Sequence, residues 1–134
     1  RGGGASVDGM PIQPSGCTTV GEALVGISGL PAEPLGWWQF RTLGAAALDL
    51  CAVAEGTLDG FVDCSPSAHG TWDYLGGALV CAEAGVPVAD AFGRDLLALE
   101  HGARRTPIAG ATPALFDALV SARRRLGDGG GDGA

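Results

Sequence analysis

Not one of the 134 residues is a lysine. The basic residues are all arginines, 8 against 15 Asp and Glu, which leaves a net charge of −7. A nucleic-acid footprint needs a basic stripe, so this balance argues against nucleic acid as a partner. The one basic cluster, Arg123, Arg124 and Arg125, falls near the end of a predicted helix and there offsets the negative end of its dipole. Long apolar runs are missing too. Asp49, Asp59 and Asp73 interrupt every stretch that approaches the ~20 residues a membrane span requires. Residues 1–4 lack an apolar h-region, so no export signal is expected. Among Cys17, Cys51, Cys64 and Cys81 there is no Cys-x-x-Cys pair, which removes the usual zinc spacing. Cys51 and Cys81 lie in apolar helical stretches where free thiols are ordinary, and a reducing cytoplasm is the expected compartment.

Catalytic signatures of several common classes are absent as well. Neither phosphate-loop pattern occurs. No His-Glu-x-x-His or Gly-x-Ser-x-Gly motif accompanies His69 and His101, which read as surface residues in loops. Trp37, Trp38 and Phe40 have no basic groups interleaved and read as core or interface aromatics. There is no internal repeat.

What is present is a globular chain, 46% hydrophobic and 17% charged, of a size for one core. Residues 2–20 are rich in Gly, Pro and Ser and read as loop. Residues 22–28 form a short apolar run ended by Gly29 and Pro31, which suits a buried strand; 38–42 reads as a second extended segment. Residues 44–55 combine strong helix formers with small residues nearly all round, and Gly56 stops that helix. A strand at 58–62 and a polar loop at 63–70 follow. Thr71 is the predicted N-cap of a helix running to Gly85. Strands are expected at 86–90, with Pro87 marking an edge, at 96–99 and at 107–109, and an amphipathic helix at 113–125. The alternation predicts layered α/β, helices against a largely parallel or mixed sheet, over residues 1–126; the tail 127–134 reads as disordered.

Asp73 is the leading candidate for chemistry. In the first turn of its helix it meets free N–H groups that favour an ionised carboxylate, the kind of ligand a hard cation accepts. An aspartate there is also commonplace as a plain helix-start residue. Asp63 ends its strand and enters the loop before Asp73, so the two can share one crevice at a strand end; taken alone it reads first as a solvated loop carboxylate. Gly44, Ala45 and Ala46 open a helix whose free donors can meet an anion or hydroxyl.

The run Arg41, Gly44, Ala46, Leu48, then Gly56, Asp59 and Phe61, then Trp72, Asp73, Gly77, Glu83 and Gly85, resembles the inositol monophosphatase family. The family's Arg, Gly-Ser-Ala-Ala-Leu turn, Asp-Gly-aromatic strand, Trp-Asp and Glu-Ala-Gly motifs are matched in order. Asp8, Gly9 and Ile12 upstream and 107–110 downstream are similar to its flanking turn and last strand. The resemblance implies the C-terminal half of an αβ layered phosphatase fold that hydrolyses phosphate monoesters with Mg²⁺. On it, Asp73 binds metal near the substrate hydroxyls, Asp63 contacts the sugar ring, and the Gly44, Ala45, Ala46 turn approaches that ring. Four positions depart from the pattern: Ala45 lacks the usual hydroxyl, Asp63 replaces a Glu, the 63–73 segment is longer, and Val86 stands for a second Gly. The family's Asp-Pro-Ile/Leu-Asp-Gly-Thr motif is absent from the 134 residues. The expectations are therefore a phosphorylated polyol or sugar as substrate, a partner N-terminal half, a homodimer, and no turnover by the chain alone. The competing expectation is a catalytically silent module that pairs with itself or with a full-length relative.

Overall fold

The computed structural model describes residues 1–127; residues 128–134, nearly all of the predicted disordered tail, lie outside the described residues. Two short strands, β1 (Ser6–Val7) and β2 (Met10–Pro11), form an antiparallel hairpin ahead of the main body. A 3-10 turn at Val20–Glu22 leads into β3 (Leu24–Ser28), followed by β4 (Gln39–Arg41), α1 (Ala46–Glu55), β5 (Gly60–Asp63) and α2 (Thr71–Glu83). The chain ends with β6 (Val88–Asp90), β7 (Pro107–Gly110) and α3 (Pro113–Arg125).

Five strands make one mixed sheet in the order β4-β3-β5-β7-β6. β4, β3 and β5 run parallel, whereas β7 is antiparallel to both β5 and β6. Side chains alternate across the sheet, as strand geometry demands. Phe61 and Ala109 meet α1 and α2 around Leu50, Val53 and Tyr74, while Val25, Ile27, Val62 and Ile108 meet α3 at Leu115 and Leu119. The result is helices on both faces of the sheet, the layered architecture expected. Gly77 lets α1 and α2 touch: a Cβ there would lie 2.8 Å from Leu50 Cβ. Gly56 ends α1 in the left-handed conformation at φ 89°.

Two sequence readings are corrected and two are made specific. Residues 96–99 are not a strand: Asp95 accepts the Leu97 amide at 2.9 Å in a tight turn, and Leu97 and Leu99 are 62% and 88% exposed. Thr71 is not the cap of α2 but its first residue; Gly70 holds the cap position. Of the aromatics read as core or interface, Trp38 and Phe40 are surface residues, 62% and 45% exposed just before and on the edge strand β4. Arg123, read as one of the residues offsetting the α3 dipole, is drawn inside the protein. It is fully buried, and its Nε donates to the Asp63 carbonyl at 2.6 Å. The same guanidinium donates to the Gly127 and Ser65 carbonyls and lies over the Phe92 ring.

Candidate functional site

The parallel register of β3 and β5 sets Ser28 beside Asp63, so both strands end at one edge of the sheet. β4 runs the same way, and α1 therefore starts at that edge too. The loop after β5 carries the chain to the head of α2 there. In α/β sheets, this carboxyl edge is where ligands bind. Gly44 sits in the left-handed region at φ 81° and is exposed, Ala45 holds the cap position of α1, and Ala46 begins the helix, buried. Ala45, as the cap residue, has no side-chain acceptor to offer the first amides of α1.

Asp73 is half-buried in the first turn of α2. Its backbone N–H donates to the Gly70 carbonyl at 2.9 Å and its carboxylate accepts the Gly70 N–H at 3.1 Å. Asp63 is fully buried and so is no solvated loop carboxylate. Its Oδ1 accepts the Ser65 amide at 2.9 Å and the Ser65 hydroxyl; its Oδ2 lies 2.6 Å from His69 Nδ1. Asp59, at the opposite end of β5, belongs elsewhere: it accepts Ser15 Oγ at 2.5 Å and the Leu24 amide at 2.8 Å, anchoring the N-terminal segment.

His69 is the site residue that sequence reading missed. It is not on the surface, as its side chain is only 12% exposed. The loop is pinned by the Arg105 amide, which donates to the His69 carbonyl at 2.8 Å. The hydrogen bond to Asp63 raises the affinity of the imidazole for a proton; burial opposes this, and the charges of Asp63, Asp73 and Asp49 add to it. A histidine six residues beyond a strand-end aspartate was the available signal, but a loop of unknown path hides whether the two meet.

Asp49 is the second missed residue. It is fully buried in the first turn of α1, and its Oδ1 has no hydrogen-bond partner among the described residues. That oxygen faces Gly26 of β3, where a Cβ would stand 2.5 Å from it. Burial pushes the Asp49 carboxyl up to about 6, with nearby His69 pulling the other way. Asp49, Asp63 and Asp73 thus converge on one imidazole from α1, β5 and α2.

Among the described residues no group of three His, Cys, Asp or Glu side chains is arranged to hold a metal ion. Mg²⁺ prefers octahedral oxygen coordination and gives up its waters reluctantly, so a single carboxylate such as Asp73 does not make a site for it. The described residues do not by themselves fit the ion.

Residues 21–128 match the family model described as Inositol monophosphatase family. An inositol-1-monophosphatase of Mycobacterium bovis is 38% identical over 88 residues, covering 64% of this chain and 27% of that protein. A putative Nus factor SuhB of Neisseria meningitidis is 49% identical over 55 residues, 41% of this chain and 20% of that protein. Among solved structures, the extragenic suppressor protein suhB from Bartonella henselae superposes with TM-score 0.74 at 27% identity, covering 93% of this chain and 50% of that one. A Pyrococcus horikoshii protein, described as similar to inositol-1 monophosphatase, gives TM-score 0.76 at 24% identity over 90% of this chain and 49% of its own. The chain thus spans about half the length of these solved structures. Matched over most of its residues, this chain belongs to the inositol monophosphatase family.

Proposed function

We propose that these residues form the substrate-side half of a Mg²⁺-dependent phosphomonoester hydrolase acting on a phosphorylated polyol or sugar. The observation that carries the reading is the convergence of the α1 head, the β5 end and the α2 head on one edge of the sheet, with Asp73 at the α2 head. Asp73 supplies one metal-binding carboxylate, and the Gly44, Ala45, Ala46 turn offers uncapped amides to a ring hydroxyl. The remaining metal ligands come from a partner N-terminal half, and the chain alone has no useful turnover. The test is co-expression with the N-terminal half of a relative, followed by assay of Mg²⁺-dependent phosphate release. Release that falls at least about a hundredfold with Asp73→Asn supports the reading; a stable complex without release overturns it.

A second reading is favoured by a different observation. Trp38, Phe40, Leu43 and Leu48 are 62%, 45%, 51% and 63% exposed on and just after the edge strand. Apolar surface of that kind marks interaction sites, and one relative is named a putative Nus factor. On this reading the chain is a silent module that pairs with a second copy or a full-length relative. Sedimentation of the pure chain as a monomer would count against it.

A further inference from the structure

The loop between β5 and α2 holds a buried dyad that the family motifs do not account for. Both oxygens of Asp63 are committed within this loop, Oδ1 to Ser65 and Oδ2 to His69. These three bonds occupy most of the acceptor capacity of a fully buried carboxylate and turn it toward its own loop. An ionised carboxylate only accepts, so the hydrogen in the 2.6 Å contact belongs to His69 Nδ1. Nε2 is the ring nitrogen that Asp63 does not hold, and it is the one left to act outward. The ring is held in place by the Arg105 amide on its backbone carbonyl and by Arg123, which grips the Asp63 carbonyl from α3.

We propose that Asp63 and His69 form a proton-donating dyad in which His69 Nε2 protonates the leaving oxygen of a phosphate monoester. This rests on the phosphohydrolase reading above. Water forms the new O–P bond and the ester P–O bond breaks with its electron pair on the leaving oxygen. That oxygen takes the Nε2 proton to become an alcohol. The proton shed by the water goes to solvent through the phosphate product, and the imidazole recovers its own from solvent. An alkoxide is a poor leaving group, and a positioned acid contributes about 10²–10⁴-fold. The charged groups around the ring fit a donor rather than an anion-binding site. Asp63 from β5, Asp73 from α2 and Asp49 from α1 all favour the imidazolium, and together they would repel a second anionic substituent on the ligand.

Two measurements test this. The chain contains 2 histidines, so nitrogen NMR of the histidine-labelled 134-residue protein resolves His69 directly. The expected result is a neutral tautomer with the hydrogen on Nδ1 and a titration midpoint above the ordinary histidine value of about 6.5, lowered by Asp63→Asn. A neutral ring with its hydrogen on Nε2, or a midpoint indifferent to Asp63→Asn, overturns the dyad. In the enzyme assembled by co-expression, His69→Gln keeps an amide able to donate to Asp63 but cannot deliver the proton. The kcat/KM ratio of inositol phosphate to p-nitrophenyl phosphate, whose leaving group needs no acid, should fall about a hundredfold. Loss of equal size on both esters, or no loss, overturns the donor role while the hydrolase reading stands. Absence of turnover on both esters before any substitution sinks the hydrolase reading and the donor role with it, leaving only the dyad to NMR.

Discussion

Two buried aspartates close two strands of the same sheet, and their surroundings make different groups of them. Asp90, at the end of β6, is bound by Arg94 through Nε and Nη2, each at 2.8 Å, and by the Thr106 amide at 2.7 Å. The Phe92 and Arg94 amides add bonds at 3.0 and 3.1 Å. Burial pushes its carboxyl up, but these bonds outweigh it and hold Asp90 below its ordinary range. Arginine keeps its charge at any working pH, so this is a permanent clamp. Asp63, at the end of β5, has a histidine and a serine instead. Its cationic partner can lose and regain its proton in the range where proteins work. A strand-end carboxylate is a staple or a proton device according to its partner, and here the device sits at the edge that gathers the helix heads.

The largest effect should come from breaking the clamp. Asp90→Ala leaves Arg94 without its carboxylate and strips the Thr106, Phe92 and Arg94 amides of an acceptor. Arg94 is 35% exposed, which softens the loss. Urea denaturation should show about 3 kcal/mol of destabilisation. Because the Asp90 carboxyl is held low in the folded chain, its stabilisation is present above about pH 4 and disappears as pH falls through the lowered value. A variant as stable as the parent would show that the clamp is not one.

Asp49 sharpens the comparison as a third buried aspartate, whose Oδ1 has no hydrogen-bond partner among the described residues. Its folded value, about 6, lies above the ordinary aspartate value of 3.8, so folding disfavours the charged form. The penalty is absent below about pH 4, grows through the interval and is complete above about pH 6. Asp49→Asn should therefore stabilise the chain by about 2 kcal/mol at pH 8 and leave it little changed at pH 4. A uniform shift at both pH values would contradict the assignment.

His69 gives a smaller effect with the same pH direction from the opposite cause. Its proton is bound more tightly when folded, so its stabilising contribution is full below the unfolded value of about 6.5 and fades as pH rises through the folded one. Midpoint denaturant curves of His69→Gln against pH should be flatter than those of the parent across that interval. The smallest change is expected at the other edge of the sheet. Trp38→Ser should alter stability by no more than about 0.5 kcal/mol, since the ring is mostly in solvent, yet reduce self-association in sedimentation if β4 is a contact surface.

Helix α3 was legible to the residue, because Thr112, Pro113 and the apolar spacing of Leu115, Leu119 and Ala122 all argue for the same start and face. β6 as an edge strand followed from Pro87, and the stop of α1 from Gly56. The 96–99 stretch misled because a short apolar run carries no sign of whether a sheet awaits it. Of the candidate site, Asp73 could be found from its place in a helix start and Asp63 from its strand end. His69 and Asp49 could not, since a lone histidine in a polar loop and an aspartate inside an alanine-rich helix are both ordinary.

The chain's own order of residues determined which segments coil into helices, which extend, where each stops, and the succession of motifs that marks the family. Those are short-range properties, decided by side-chain shape, glycine and proline, and apolar periodicity. Only the tertiary structure decided that Asp63 spends itself on His69, that Arg123 is drawn inside to hold that loop, and that Asp49 is left with a bare oxygen against Gly26. Each of these depends on which distant segments become neighbours, and burial then sets the strength of the charges they bring together.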